Sequence, residues 1–363
     1  MEIRVAKKEE NKKVIRFLNK VFHKPFPRLI PSLYGKDKNM MEYHYLVEEN
    51  GELVGGVCAY PEEITSCGIT IKGVAIGMVA TLKSARGKGV MTNMLKHVED
   101  AVSNDADVMF LTGRRHRYEH FGYYPAGCLY SFEISNMSIK KWENGNPYTI
   151  VKAKSQEDFN KVDELNAFGE VVVSRPLATE SETLRNWFSK LYLIKCGEEV
   201  VGFIGGKLFK GHTLERIFIK DGSACDYIYG VSAYKKYKGA SVLKVEVLPT
   251  ESALKSGMHA CSEEYSVVSH EKFKVLSYKR LFEKLLLISV KQSKIEDFSK
   301  VIEIASREKL LLSVEGGNVR VEETDAPAQL IMTEEQAIAS LLGQEESIVK
   351  GLVKIALRHS DFI

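Results

Sequence analysis

The chain opens on a short alternation of apolar and polar residues, "EIRVAK", and then changes period. In "KEENKKVIRFLNKVF" Val14, Ile15, Leu18 and Val21 recur on one helical side, which predicts a strand followed by an amphipathic helix. A block of alternation comes next. "EYHYLVEENGELVGGVCAY" predicts two strands about an Asn50-Gly51 turn, and "EEITSCGITIKGVAIGMVATL" a further pair about Cys67-Gly68. From about Lys88 the period lengthens, with Val90, Met91, Met94, Leu95 and Val98 in one stripe, and a helix is expected. "DVMFLTG" predicts the next strand. It runs into "RRHRYEHFGYYPAG", a basic and aromatic turn unlike ordinary packing.

The pattern then repeats. "YTIVKAKSQEDFNKVDELNAF" reads as strand, turn and helix, and "KLYLIKCGEEVVGFIGGKLF" parallels "HYLVEENGELVGGVCAY" at a distance of roughly 150 residues, which suggests two copies of one fold. The second copy lacks the glycine-rich segment of the first. Its nearest counterpart, "AYKKYKGA", has one glycine and no arginine. A third unit begins near Phe282: "LLLISV", a helix over "KIEDFSKVIEIASREK", strands in "KLLLSVEGG", "NVRVEET" and "AQLIMT", a helix capped by Thr333 and Gln336, and a last helical stretch ending in "RHSDFI". The expected division is 1–147, 148–281 and 282–363.

Length agrees with more than one core, because 363 residues exceed the usual single domain. With 51 basic and 48 acidic residues the net charge is +3, which offers no global reason for a nucleic-acid partner. The six cysteines form no C-x-x-C pair, so neither a metal site nor a disulfide framework is expected, and a reducing cytoplasm is the simpler setting. The charged start "MEIRVAKKEENKK" does not read as a signal peptide, and no apolar run reaches the length of a membrane span.

Chemistry enters at "VATLKSARGKGVMTNML". Arg86-Gly87-Lys88-Gly89 stands between a predicted strand and helix, where glycines let a ligand approach the backbone and helix N–H groups point at an anion. In isolation the spacing reads first as a tight turn with a solvated Arg and Lys. With the hairpin before it and the strand, aromatic turn and "FGY" after it, it resembles the pyrophosphate loop of the GNAT acyltransferases, R/Q-x-x-G-x-G/A. Arg86 and Gly89 match, and Met91 departs at the last position. The whole layout is similar to the enhanced-intracellular-survival acetyltransferases. That resemblance implies an α+β fold of two GNAT-type mixed-sheet domains, the second degenerate, followed by a small sterol-carrier-like α/β domain.

The resemblance implies a donor, acetyl-CoA, and a primary amine acceptor of aminoglycoside, polyamine or peptide-Lys type. Backbone groups of Met78, Val79, Ala80 and Thr81 would pair with the pantetheine arm, and Arg86, Gly87, Lys88, Gly89, Val90 and Met91 would hold the pyrophosphate. Tyr118 matches the family's general acid, and the terminal carboxylate, here Ile363, its general base. It also implies a homo-oligomer, with a hexamer as first expectation, and no membrane partner. The residues themselves leave other readings open. Tyr118 fits a hydrogen-bonded core tyrosine, the run Arg114 to Arg117 a solvated face, His116 and His120 are runner-up bases, and Glu42, Glu62 and Glu63 read more simply as surface charge than as an acceptor pocket. The rival function is a non-catalytic CoA- or lipid-binding protein using the sterol-carrier-like domain.

Overall fold

The computed structural model describes residues 2–207, 212–269, 271–343, 346–354 and 357, without the side chains of 206, 207 and 212. The fold is α+β, and its described strands form three sheets. The first runs β1 (Ile3–Val5), β2 (His44–Glu49), β3 (Glu52–Ser66), β4 (Ile69–Thr81) and β5 (Val108–Thr112), and ends on β6 (Tyr124–Ala126). The two predicted hairpin turns are present: Asn50 and Gly51 have φ of 52° and 81°, Cys67 and Gly68 50° and 72°. Two consecutive left-handed residues match the twist of the flanking strands, which is why Asn-Gly is favoured there.

Sheet membership does not follow chain order. β7 (Leu129–Ser135) leaves the first sheet and pairs with β13 (Val242–Val247) and β14 (Glu264–Val268). β15 (Glu271–Val275) then returns to lie between β5 and β6. β9 (Val172–Ser174) pairs with the outer half of β3. The second sheet is completed by β8 (Tyr148–Lys152), β10 (Lys190–Cys196), β11 (Glu199–Lys207) and β12 (His212–Ile219). Each of the two large sheets therefore depends on a strand from the other's stretch of chain.

The third sheet has β16 (Phe298–Ile304) between β17 (Lys309–Glu315) and β19 (Leu330–Met332), with β18 (Asn318–Glu323) at the edge. Here one expectation fails. The helix Tyr278–Lys291 contains "LLLISV", but the stretch "KIEDFSKVIEIASREK", expected as a helix, contains β16. Leu281, Phe282, Leu285, Leu286 and Ile288 all face inward at helical spacing. Val301 and Ile302 pair with β17 and Ile304 with β19, all β-branched, so tertiary pairing overrides a pattern that fits both periods. No helix follows Leu342 among the described residues.

Two layers of core flank the first sheet. On one face Val57, Ala59, Val74, Ile76 and Leu111 pack under the helix Val90–Val102. On the other, Cys58, Tyr60, Ala75 and Phe110 meet the helix Asn11–Phe22, the segment to Tyr34, and the helix Tyr278–Lys291, which also backs the third sheet. Asp107, almost fully buried, ties that last helix down through Arg280 and Lys284.

Candidate functional site

The site begins as a fork between two parallel strands. β4 and β5 are paired over Gly73↔Val108, Val74↔Met109 and Ala75↔Phe110, and no further. Beyond Ala75 the strands part, because β5 is drawn to β15 while β4 continues along β3. At the fork β4 bulges: its register against β3 shifts between Gly56 and Cys58, and Met78 takes a left-handed φ of 53°. A bulge re-aims the strand and frees ladder groups for another partner.

Past β4 the chain makes a tight turn at Leu82–Ala85 and then bends through Gly87 and Gly89, with φ of 78° and 74°. A side chain at Gly87 would meet nothing within 4 Å, but this backbone conformation is one that L residues rarely adopt. Gly89 is the N-cap of the helix Val90–Val102, no side chain caps it, and its first turn has no acid. The N–H groups of that turn and the positive end of the helix dipole are therefore available to an anion.

Fork, loop and helix start enclose a cleft of about 700 Å³. Of the sequence-predicted residues it is lined by Val79, Thr81, Arg86, Gly87, Gly89, Val90 and Met91. Met78 and Ala80 are buried toward the opposite core. Lys88 turns away to an exposed ion pair with Glu49 at 3.3 Å. Val21 and Phe22, at the end of the first helix, and Arg117 also line the cleft. The first two had no signal in sequence beyond ending an amphipathic helix.

Tyr118 closes the short helix Arg115–Tyr118 and is 7% exposed, in the core cluster that also contains Val79 and Met91. Gly113 makes room for its ring, since a Cβ there would lie 2.5 Å from Tyr118 Cε2. Burial pushes the phenol's pKa up, and the neighbouring Arg117 pulls it back. Tyr118 is not among the residues lining the cleft; its neighbour Arg117 is.

The basic run divides by role. Arg115 bonds Glu119 at 2.9 Å and Glu335 at 2.7 Å from an exposed position, so it reaches the helix Glu334–Leu342 across the surface. His116 is exposed, and His120 is exposed with its ring 4.0 Å from that of Phe121. Glu62 is neither surface charge nor open to an acceptor: it is buried and accepts from Arg175 Nε at 3.2 Å. Ile363 lies outside the described residues. Leu357, the last described, is buried in the large core cluster that the first and third sheets share.

Sequence reading also missed His44. It is buried on β2 beside Cys58, with Nε2 3.0 Å from the Tyr34 hydroxyl, and burial pushes its pKa down to about 3. It is a neutral, structural histidine. Among the described residues no group of His, Cys, Asp and Glu is arranged to hold a metal ion.

Residues 2–126 match the family described as acetyltransferase (GNAT) domain. No curated protein matches the chain. Solved structures similar to it include a GCN5-related N-acetyltransferase from Anabaena variabilis (14% identity, TM-score 0.69, covering 94% of this chain and 89% of that one). A GCN5-related N-acetyltransferase from Kribbella flavida is similar at 14% identity and TM-score 0.66, over 94% and 89% of the two chains. Eis1 from Mycobacterium abscessus is similar at 13% identity and TM-score 0.66, over 93% and 88%. The first unit is thus a GNAT domain, of the acetyltransferase class that draws on acyl-CoA donors. Over its length the chain has the fold of the Eis-like GNAT proteins.

Proposed function

We propose that the chain transfers acetyl from acetyl-CoA to a primary amine of a small molecule or peptide. The observation that carries this reading is the single cleft uniting a parted β4–β5 fork with an uncapped, glycine-framed helix start. The fork suits an extended pantetheine arm, paired with backbone of Met78 to Thr81, and the segment Arg86 to Met91 suits a pyrophosphate. Lys88 serves this role once it leaves Glu49, a surface pair worth about 0–1 kcal/mol.

In the reaction the amine nitrogen attacks the thioester carbonyl, the C–S bond breaks, and the thiolate takes a proton. The backbone N–H of Val79 faces the developing oxyanion, and Tyr118 supplies the thiolate's proton. Its raised pKa keeps the phenol protonated at neutral pH. An ammonium acceptor must first lose a proton. β4, "ITIKGVAIGMVAT", has no acid or histidine to take it. We assign that role to the Ile363 carboxylate. The last described residue, Leu357, lies in the core that the first and third sheets share, and six further residues reach about 20 Å when extended.

The three units act in this reading as a catalytic GNAT domain (1–147), a second GNAT-type domain (148–281) and a sterol-carrier-like domain (282–363), assembled as a cytoplasmic homo-oligomer, with a hexamer as first expectation. The cleft of about 460 Å³ in the third unit has a mixed border, with Phe298, Ile348 and Val349 beside Lys294, Asp297 and Lys300. No helix among the described residues is long and apolar enough to cross a membrane. Acetyl-CoA consumption over a panel of primary amines tests the transfer. Deleting Phe362 and Ile363 should slow it steeply at neutral pH and less at high pH, where more amine is already free. An unchanged rate at every pH would remove the tail from the mechanism.

A further inference from the structure

The central unit repeats the first cleft with its chemistry inverted. β12 and β13 run parallel from His212↔Leu243 to Leu214↔Val245 and pair no further, as β4 and β5 do beyond Ala75. A cleft of about 260 Å³ opens at this second fork. Its walls correspond one by one. Phe168 and Glu170 follow the unit's first helix, as Val21 and Phe22 end theirs. Phe218 stands on the forked strand like Val79, Asp221 in the next loop like Arg86, and Thr250 and Glu251 beyond the partner strand like Arg117.

The charged groups lining the first cleft are Arg86 and Arg117. Those lining the second are Glu170, Asp221 and Glu251 against one Arg216. That guanidinium is engaged on several sides: Nη2 donates to Asn166 Oδ1 at 2.6 Å, Nε lies 3.7 Å from Glu180, and Nη1 lies 3.9 Å from Glu251 Oε1, so Glu251 is already paired. Two further observations point to an occupant. Thr250 is 6% exposed and lines the cleft, and its hydroxyl has no hydrogen-bond partner among the described residues. The exposed ring of Phe168 already holds a cation on its face, the Lys220 ammonium at 4.4 Å from the centroid.

We infer that this second cleft binds a small organic ammonium ion, an alkylamine or arylalkylamine in its protonated form. Glu170 and Asp221 supply opposite charge, Phe168 and Phe218 the apolar walls, and the Thr250 hydroxyl accepts an N–H. A metal ion does not fit, because no metal-holding cluster occurs among the described residues. Burial, with Glu251 nearby, pushes the Glu170 carboxyl up, a cost that a bound cation offsets. Occupancy of this cleft does not require the first to be catalytic.

The test is calorimetric titration of the full chain with phenethylammonium chloride and with 3-phenylpropan-1-ol, its neutral analogue. Saturable binding of the ammonium is expected, at least about tenfold tighter than the alcohol. Thr250→Val and Asp221→Asn should each weaken it several-fold without touching the first cleft; their melting curves verify folding. If the ammonium does not saturate at roughly 10 mM, or binds both variants as it binds the wild type, the inference is overturned. The second result places the amine in the first cleft alone. Variant-sensitive binding in a chain that transfers no acetyl group would separate this site from the proposed reaction.

Discussion

Two strand–loop–helix junctions stand at equivalent places in the molecule and differ in one physical respect. After β4 the chain spends residues 82–89 before Val90, with left-handed glycines and a helix start that no side chain caps. After β12 it spends only 220–223 before Ala224, and Ser223 caps the helix. The Ser223 side chain accepts from Asp226 N, and the Asp226 carboxylate accepts from Ser223 N at 2.9 Å. This capping box satisfies the donors that an anion would use and sets a negative charge on the helix's positive end. Equal topology thus leaves the helix start open to an anion in one copy and closes it in the other. What decides is whether the first turn's N–H groups are already spoken for.

The largest test of that contrast is Tyr118→Phe in the first copy. It removes one oxygen and keeps the ring that Gly113 accommodates, so folding should hold while kcat falls by about 10²–10⁴ with acetyl-CoA affinity unchanged. Single-turnover kinetics would check it, and an inert substitution would leave the turn as packing. Arg86→Ala comes next. Loss of a charge-assisted contact should weaken acetyl-CoA binding by about 1.5–3 kcal/mol, and unchanged calorimetric affinity would misplace the pyrophosphate.

Ser223→Ala probes the other junction. Denaturant unfolding should show about 0.5–2 kcal/mol of lost stability and acetyl-CoA stoichiometry should stay at one site. A second equivalent of bound CoA would break the comparison, because uncapping alone would then have restored an anion site. The smallest effect is in pH. The proposed acid Tyr118 works only while protonated, and burial raises its pKa from the ordinary phenol value, so activity should persist through neutral pH and decline on the alkaline side. Arg117 lowers that pKa, so in Arg117→Ala the decline should move to higher pH. A shift downward would mean that the limb belongs to another group.

Much of the fold is legible along the chain where the signal is local. Asn50-Gly51 and Cys67-Gly68 are turns because adjacent residues must both take positive φ. Thr333 and Gln336 cap their helix because the motif closes within one turn. The glycine loop was found for the same reason. Its counterpart in the second copy was sought in "AYKKYKGA", which is the end of the helix Ala224–Lys238. The true counterpart, 220–223, is shorter and has no sequence likeness to the first loop. β16 failed because its apolar spacing suits either period, and only pairing with β17 chooses.

Local rules therefore specify where turns, caps and the glycine-framed helix start occur, since each needs only a few neighbouring residues in one backbone conformation. Long-range pairing decides the rest. That β15 lies beside β5, and so opens the fork, depends on Glu271 to Val275 meeting Val108 to Thr112 across the whole central unit. That Glu62 is held by Arg175, and that Arg115 meets Glu335, depends on elements far apart in the chain. Such contacts leave no periodic trace, because the free energy that selects them comes from surfaces brought together only when the three sheets have packed.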